Sequence, residues 1–87
     1  MKKIDIEISH DVGLHARPAS LFVQTASKFS SEINISYKED TKNAKSILGV
    51  LSLGVGKDAQ ITITAEGDDE EEALEALKDL VESNFGE

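Results

Sequence analysis

Three stretches of this 87-residue chain alternate apolar and polar residues with a period of two, the spacing of a β-strand that buries one face. Ile4, Ile6 and Ile8 alternate with Asp5 and Glu7; Ile33, Ile35 and Tyr37 with Asn34 and Ser36; Ala59, Ile61, Ile63 and Ala65 with Gln60, Thr62 and Thr64. Between the first two the period lengthens. Ala19, Phe22, Val23, Ala26 and Phe29 recur at helical spacing, with Arg17, Ser20, Gln24, Ser27 and Lys28 on other faces. Pro18 is tolerated in a first helical turn, where its missing N–H would have had no intrahelical partner, so the helix is predicted to begin near Ala16. Lys38-Glu39-Asp40 predicts a turn into a short third strand over Thr41 to Ala44.

Two further helices follow from capping signals. Ser46 is a good N-cap, and Gly54 suits the left-handed position past a helix end. Ile47, Leu48, Val50, Leu51 and Leu53 are apolar on nearly every side of the segment between them, more than one contact face can bury. Two arrangements fit: a fully buried short helix, or a docking patch with Ile47, Leu48 and Leu51 outward and Val50 and Leu53 inward. After a turn at Gly67, Asp69 is placed to cap a last helix with Glu72 as its capping-box partner, and Ala73, Leu74, Leu77, Leu80 and Val81 mark its buried stripe. The order is β-α-β-β-α-β-α, an α+β chain with one four-stranded antiparallel sheet whose apolar face is covered by three helices.

Charge divides the chain. Residues 1 to 57 carry a balance of +2 and residues 58 to 87 one of −10, within a net charge of −8. The acidic run at the start of the last helix reads as solvated helix-start carboxylates, and no metal site is expected there. An acidic protein can thereby present a near-neutral or locally basic face to an acidic partner, and direct nucleic-acid binding is not expected. There is no cysteine, so neither a disulfide framework nor a zinc-thiolate site can form. Met1-Lys2-Lys3-Ile4-Asp5 cannot form the apolar region of a signal peptide, and no apolar run is long enough to span a bilayer. The expectation is one domain over residues 1–87, cytoplasmic, without membrane insertion.

Within the near-neutral part, Gly13-Leu14-His15-Ala16-Arg17-Pro18-Ala19-Ser20 sets a histidine and an arginine two residues apart where a strand pattern gives way to a helix. A helix's first turn, with free N–H groups and the positive end of its dipole, holds an anion. Imidazole, with an unperturbed pKa of about 6.5, is a nucleophile near neutral pH and can accept a phosphoryl group directly. The Ala16 and Arg17 N–H groups and the planar Arg17 guanidinium can stabilise the charge on the phosphoryl oxygens. The other histidine, His10, reads as a solvated loop residue, with no second ligand set at metal-binding spacing.

The octet resembles the active-site signature of the histidine-containing phosphocarrier (HPr) family of the bacterial phosphoenolpyruvate-dependent sugar phosphotransferase system. Lys45-Ser46-Ile47-Leu48-Gly49-Val50-Leu51-Ser52-Leu53-Gly54 resembles the family's second hallmark, in which the serine is a regulatory phosphorylation site in low-GC Gram-positive lineages. The likeness extends over the whole chain and implies an open-faced β-sandwich. It implies that His15 carries the phosphoryl group on Nδ1, that Arg17 assists transfer, and that Ser46 is the target of an HPr serine kinase/phosphorylase. It implies enzyme I as donor and sugar-specific enzyme IIA domains as acceptors. Phosphorylated Ser46 would serve a catabolite-repression transcription factor. Ser20, Ile47, Leu48 and Leu51 would contact partners.

Such a chain is a covalent shuttle and not an enzyme with its own turnover. It needs no cofactor and is expected to act as a monomer. Related proteins often have a glycine in the turn at Lys38 to Asp40, and here there is none. Two other readings stay open. One is a purely regulatory relative working through Ser46, although in such relatives the active-site histidine is replaced. The other is a small anion-binding module, which leaves the apolar patch unexplained.

Overall fold

The computed structural model describes residues 1–8, 16–56, 58–83 and 85. Seven elements follow in the expected order: β1 Lys2–Glu7, α1 Ala16–Ala26, β2 Glu32–Tyr37, β3 Asp40–Asn43, α2 Ile47–Ser52, β4 Gln60–Glu66 and α3 Glu70–Glu82. The strands form one antiparallel sheet in the order β1-β4-β2-β3. Ile4 lies opposite Ile63, Ile63 opposite Ile35, and Ile6 opposite Ile61, so the apolar residues of three strands share one face. Ile33, Ile35, Ile61 and Ile63 meet Phe22, Val50 and Leu77 of the three helices there, all essentially fully buried. Each such side chain contributes about 1.5–3 kcal/mol by leaving water, which is why the alternation holds the register. Asn34, Ser36, Thr62 and Thr64 line the other, open face, where Thr62 Oγ1 donates to Asp5 Oδ1 at 2.5 Å.

Several boundaries differ from expectation for local reasons. Ile8 and Ala59 lie just outside the strands predicted to contain them. Ile8 N–H still donates to Ala59 O at 2.8 Å, but the Ile8 carbonyl accepts from Asp58 N at 2.7 Å. Asp58 has φ +67 there, so the regular ladder stops. In the glycine-free turn Lys38 takes the left-handed conformation, φ +58, and its ammonium lies 5.3 Å from the centre of the Tyr37 ring. The third strand begins one residue earlier than predicted, at Asp40, and Ala44 is instead a buried residue whose N–H donates to Ile33 O.

The start of α3 corrects the capping-box expectation. Asp69 makes no side-chain cap bond. Its carboxylate accepts from Ser30 N and Ser31 N, each at 2.9 Å, and from the hydroxyl of buried Ser31. Glu70, not Glu72, reaches back, accepting from Gly67 N at 3.2 Å. Asp69 therefore ties α3 to the segment after α1, and that fully engaged carboxylate is held down at a pKa of about 2, chiefly by the Ser31 hydroxyl and then by the Ser30 N–H. Gly67 permits the approach: at φ +152, a Cβ on it would lie 2.8 Å from Ser31 Cα.

Candidate functional site

Helix α1 starts at Ala16, directly after His15, as the proline placement requires. His15 and His10 lie outside the described residues. A helix beginning there leaves the Ala16 and Arg17 N–H groups without acceptors inside the helix, and Pro18 has none to offer. No acidic residue stands in this first turn, so no carboxylate of the helix itself competes for the positive end. Arg17 is exposed, and among the described residues it enters no ion pair. Pro18 and Ala19 are buried and anchor the turn. Ser20 is half-buried one turn on, its hydroxyl accepting from Gln24 Nε2 at 3.4 Å. The chemistry open to this end is charge stabilisation of an anion at the surface.

Helix α2 packs beside α1. Ser46 caps it as expected: its hydroxyl accepts from Gly49 N at 3.2 Å, and the side chain stays half-exposed. Val50 and Leu53 are buried, whereas Ile47 is 37%, Leu48 77% and Leu51 38% exposed, which selects the outward-facing arrangement over a buried helix. Gly54 is left-handed at φ +65, closing the segment where the sequence placed its end. Lys45 was not singled out for this tie: its ammonium donates to Phe29 O at 2.6 Å, joining the approach to α2 to the end of α1. The only sequence signal was a basic residue beside the cap. Asn43 Oδ1 accepts from Lys45 N and Asn43 O from Ser46 N, so the cap is held by one side-chain and one main-chain bond to Asn43.

Among the described residues no group of three or more acidic or histidine side chains could hold a metal ion, and no helix is long and apolar enough to cross a membrane.

An open-faced antiparallel sheet, a helix start with no carboxylate in its first turn and an exposed apolar helix beside it are features suited to a small protein that presents an anion to partners. Residues 2–83 match the family model described as PTS HPr component phosphorylation site. An HPr of Thermoanaerobacter tengcongensis is 60% identical, with 100% of this chain and 98% of that chain covered and a TM-score of 0.98. The HPr of Bacillus anthracis strain Ames is 50% identical over 92% of this chain and 95% of its own, TM-score 0.89. Crh, the Bacillus subtilis catabolite repression protein, described as a swapped dimer, is 42% identical over 97% of each chain, TM-score 0.77. The chain belongs to the HPr family, the phosphocarrier proteins of the phosphotransferase system, which carry a phosphoryl group and are not enzymes.

Proposed function

We propose that His15 accepts a phosphoryl group from phosphorylated enzyme I and passes it to sugar-specific enzyme IIA domains in the cytoplasm. The observation that carries this reading is the start of α1 at Ala16, which puts a helix's free N–H groups and the exposed Arg17 directly after the histidine. In transfer, the Nδ1 lone pair forms a bond to phosphorus as the bond from phosphorus to the donor breaks, and the donor leaves with the electron pair of the broken bond. The Ala16 and Arg17 N–H groups and the Arg17 guanidinium offset the charge on the phosphoryl oxygens. A carrier must release what it takes, so a shallow site with modest stabilisation serves better than a deep pocket. Ser20, Ile47, Leu48 and Leu51 form the docking surface used by each partner in turn.

Ser46 supplies the second role. Its half-exposed hydroxyl sits at the start of α2, where a phosphate gains from the helix's free N–H groups and need not unfold it. A charge of roughly −1.5 to −2 beside Ile47 and Leu48 opposes docking of an acidic or apolar partner and creates a site for an arginine-rich one. An HPr serine kinase/phosphorylase and a catabolite-repression transcription factor are the partners this implies. The relation to Crh favours such a role, and the presence of His15 favours the carrier role beside it. The carrier acts as a monomer.

Intact mass after mixing the chain with phosphoenolpyruvate and purified enzyme I tests this. One acid-labile phosphoryl group, absent from His15→Ala, is the expected result. No gain, with the same enzyme I active on another carrier, rejects the shuttle and leaves the Ser46 role alone.

A further inference from the structure

The two edges of the sheet are finished differently. β3 is a four-residue edge packed beside α2, whereas β1 is six residues long and pairs only with β4. The Ile8 N–H points at Ala59 O, and the unbroken register carries that parity back along the strand. The main-chain groups of Lys2, Ile4 and Ile6 therefore face β4, and those of Lys3, Asp5 and Glu7 point away from the sheet. Among the described residues no main-chain partner meets them.

Beside this edge β1 and α3 enclose two adjoining hollows of about 360 and 400 Å³, with Ile4, Ile6 and Leu74 as apolar floor. The rim that α3 supplies is acidic: Glu71, Glu75, Asp79 and Glu82 stand against Lys2 and Lys78, and Lys2 is already paired with Glu71.

We propose that this edge is a docking site for an extended cationic segment of another protein, added as a strand alongside β1. Its backbone satisfies the outward N–H and C=O groups of Lys3, Asp5 and Glu7, the mode by which an open sheet edge binds a peptide. Lysine or arginine stems lie on Ile4 and Leu74 with their charged ends at the α3 carboxylates. A second copy fits poorly. The antiparallel register centred on Asp5 offsets its two Lys3–Glu7 pairs with Asp5 against Asp5, and any pairing of two β1 edges brings two acidic α3 helices together. The site lies at the sheet edge opposite β3 and α2, so it and the α2 surface can be occupied at once.

Amide hydrogen exchange of the full chain, with and without a short end-blocked peptide alternating lysine and valine, tests this. The Lys3, Asp5 and Glu7 amides are expected to gain protection while those of Ile47, Leu48 and Leu51 do not change. The pair Glu75→Lys and Asp79→Lys, on the exposed side of α3, is expected to weaken binding by at least about tenfold. Lys3→Pro removes an outward N–H from a residue whose exposed side chain makes no bond among the described residues, and is expected to abolish the protection at Asp5 and Glu7, with circular dichroism checking that both variants fold. No gain in protection, equal binding of a glutamate–valine peptide, or protection of the same amides that rises with protein concentration alone each overturns the proposal. The last would assign the edge to a second copy.

Discussion

Helices α2 and α3 begin in opposite ways, and the contrast separates the presenting side of the molecule from its structural side. At α2 the capping group is local: the Ser46 hydroxyl bonds Gly49 N three residues on and stays half-exposed, with apolar Ile47 and Leu48 outside it. At α3 the residue in the equivalent place turns away from its own helix, and Asp69 spends its carboxylate on Ser30 and Ser31 across 39 and 38 positions of chain. A local cap leaves a group that can be modified without dismantling the fold. A long-range tie does not. The start of α1 extends the lesson: it has no acidic residue in its first turn, whereas α3 has Glu70, Glu71 and Glu72, so α1, unlike α3, sets no carboxylate of its own against an anion from outside.

Breaking the α3 side is expected to have the largest effect on stability. Gly67→Ala forces a Cβ onto the Ser31 backbone and destabilises by about 2–4 kcal/mol, read from chemical denaturation. Asp69→Asn comes next and shows a distinct pH signature. The Asp69 carboxyl is lowered in the folded state, so its contribution is fully present above the ordinary carboxylate pKa of about 4 and is lost as pH falls through about 2. Wild-type melting temperature should therefore fall over that window more steeply than that of the variant, whose melting temperature is already lower at neutral pH.

On the α2 side the effects shrink. Ser46→Ala is expected to cost about 1 kcal/mol, and Ser46→Asp, which can still cap, less. Leu48→Ala, at a residue 77% exposed, should change stability by no more than about 0.5 kcal/mol while weakening enzyme I docking, as read by the concentration dependence of phosphorylation. A Leu48→Ala loss as large as that at Gly67 would erase the distinction between the two sides.

Much of this was legible in the sequence, because period-two isoleucines and a proline at a helix start are local signals. The strand faces, the α1 start and the Ser46 cap all follow from residues within a few positions of one another, whereas the apolar run after Ser46 fits a buried or an outward-facing helix equally, and the packing of Val50 and Leu53 decides it. What was not legible depends on distant chain. Nothing near Asp69 says that Ser31 will stand within its reach, and a carboxylate offered two backbone N–H groups and a hydroxyl elsewhere abandons its own cap. Nothing near Lys45 announces the Phe29 carbonyl. At Lys38 the hairpin had to close with φ positive in a turn without glycine, and the ring of Tyr37 lies beneath its ammonium. The ends of β1 and β4 moved because left-handed Asp58 takes the Ile8 carbonyl.

On this reading His15 takes the phosphoryl group against the first turn of α1, and the acidic first turn of α3 plays no part in it. A two-dimensional amide nitrogen–proton spectrum of the isotopically labelled chain, before and after phosphorylation by enzyme I, tests this most directly. Large shifts of the Ala16 and Arg17 amides are expected, and none at Glu70 to Glu72. Shifts centred on α3, or a phosphorylated chain with Ala16 and Arg17 unmoved, would contradict it.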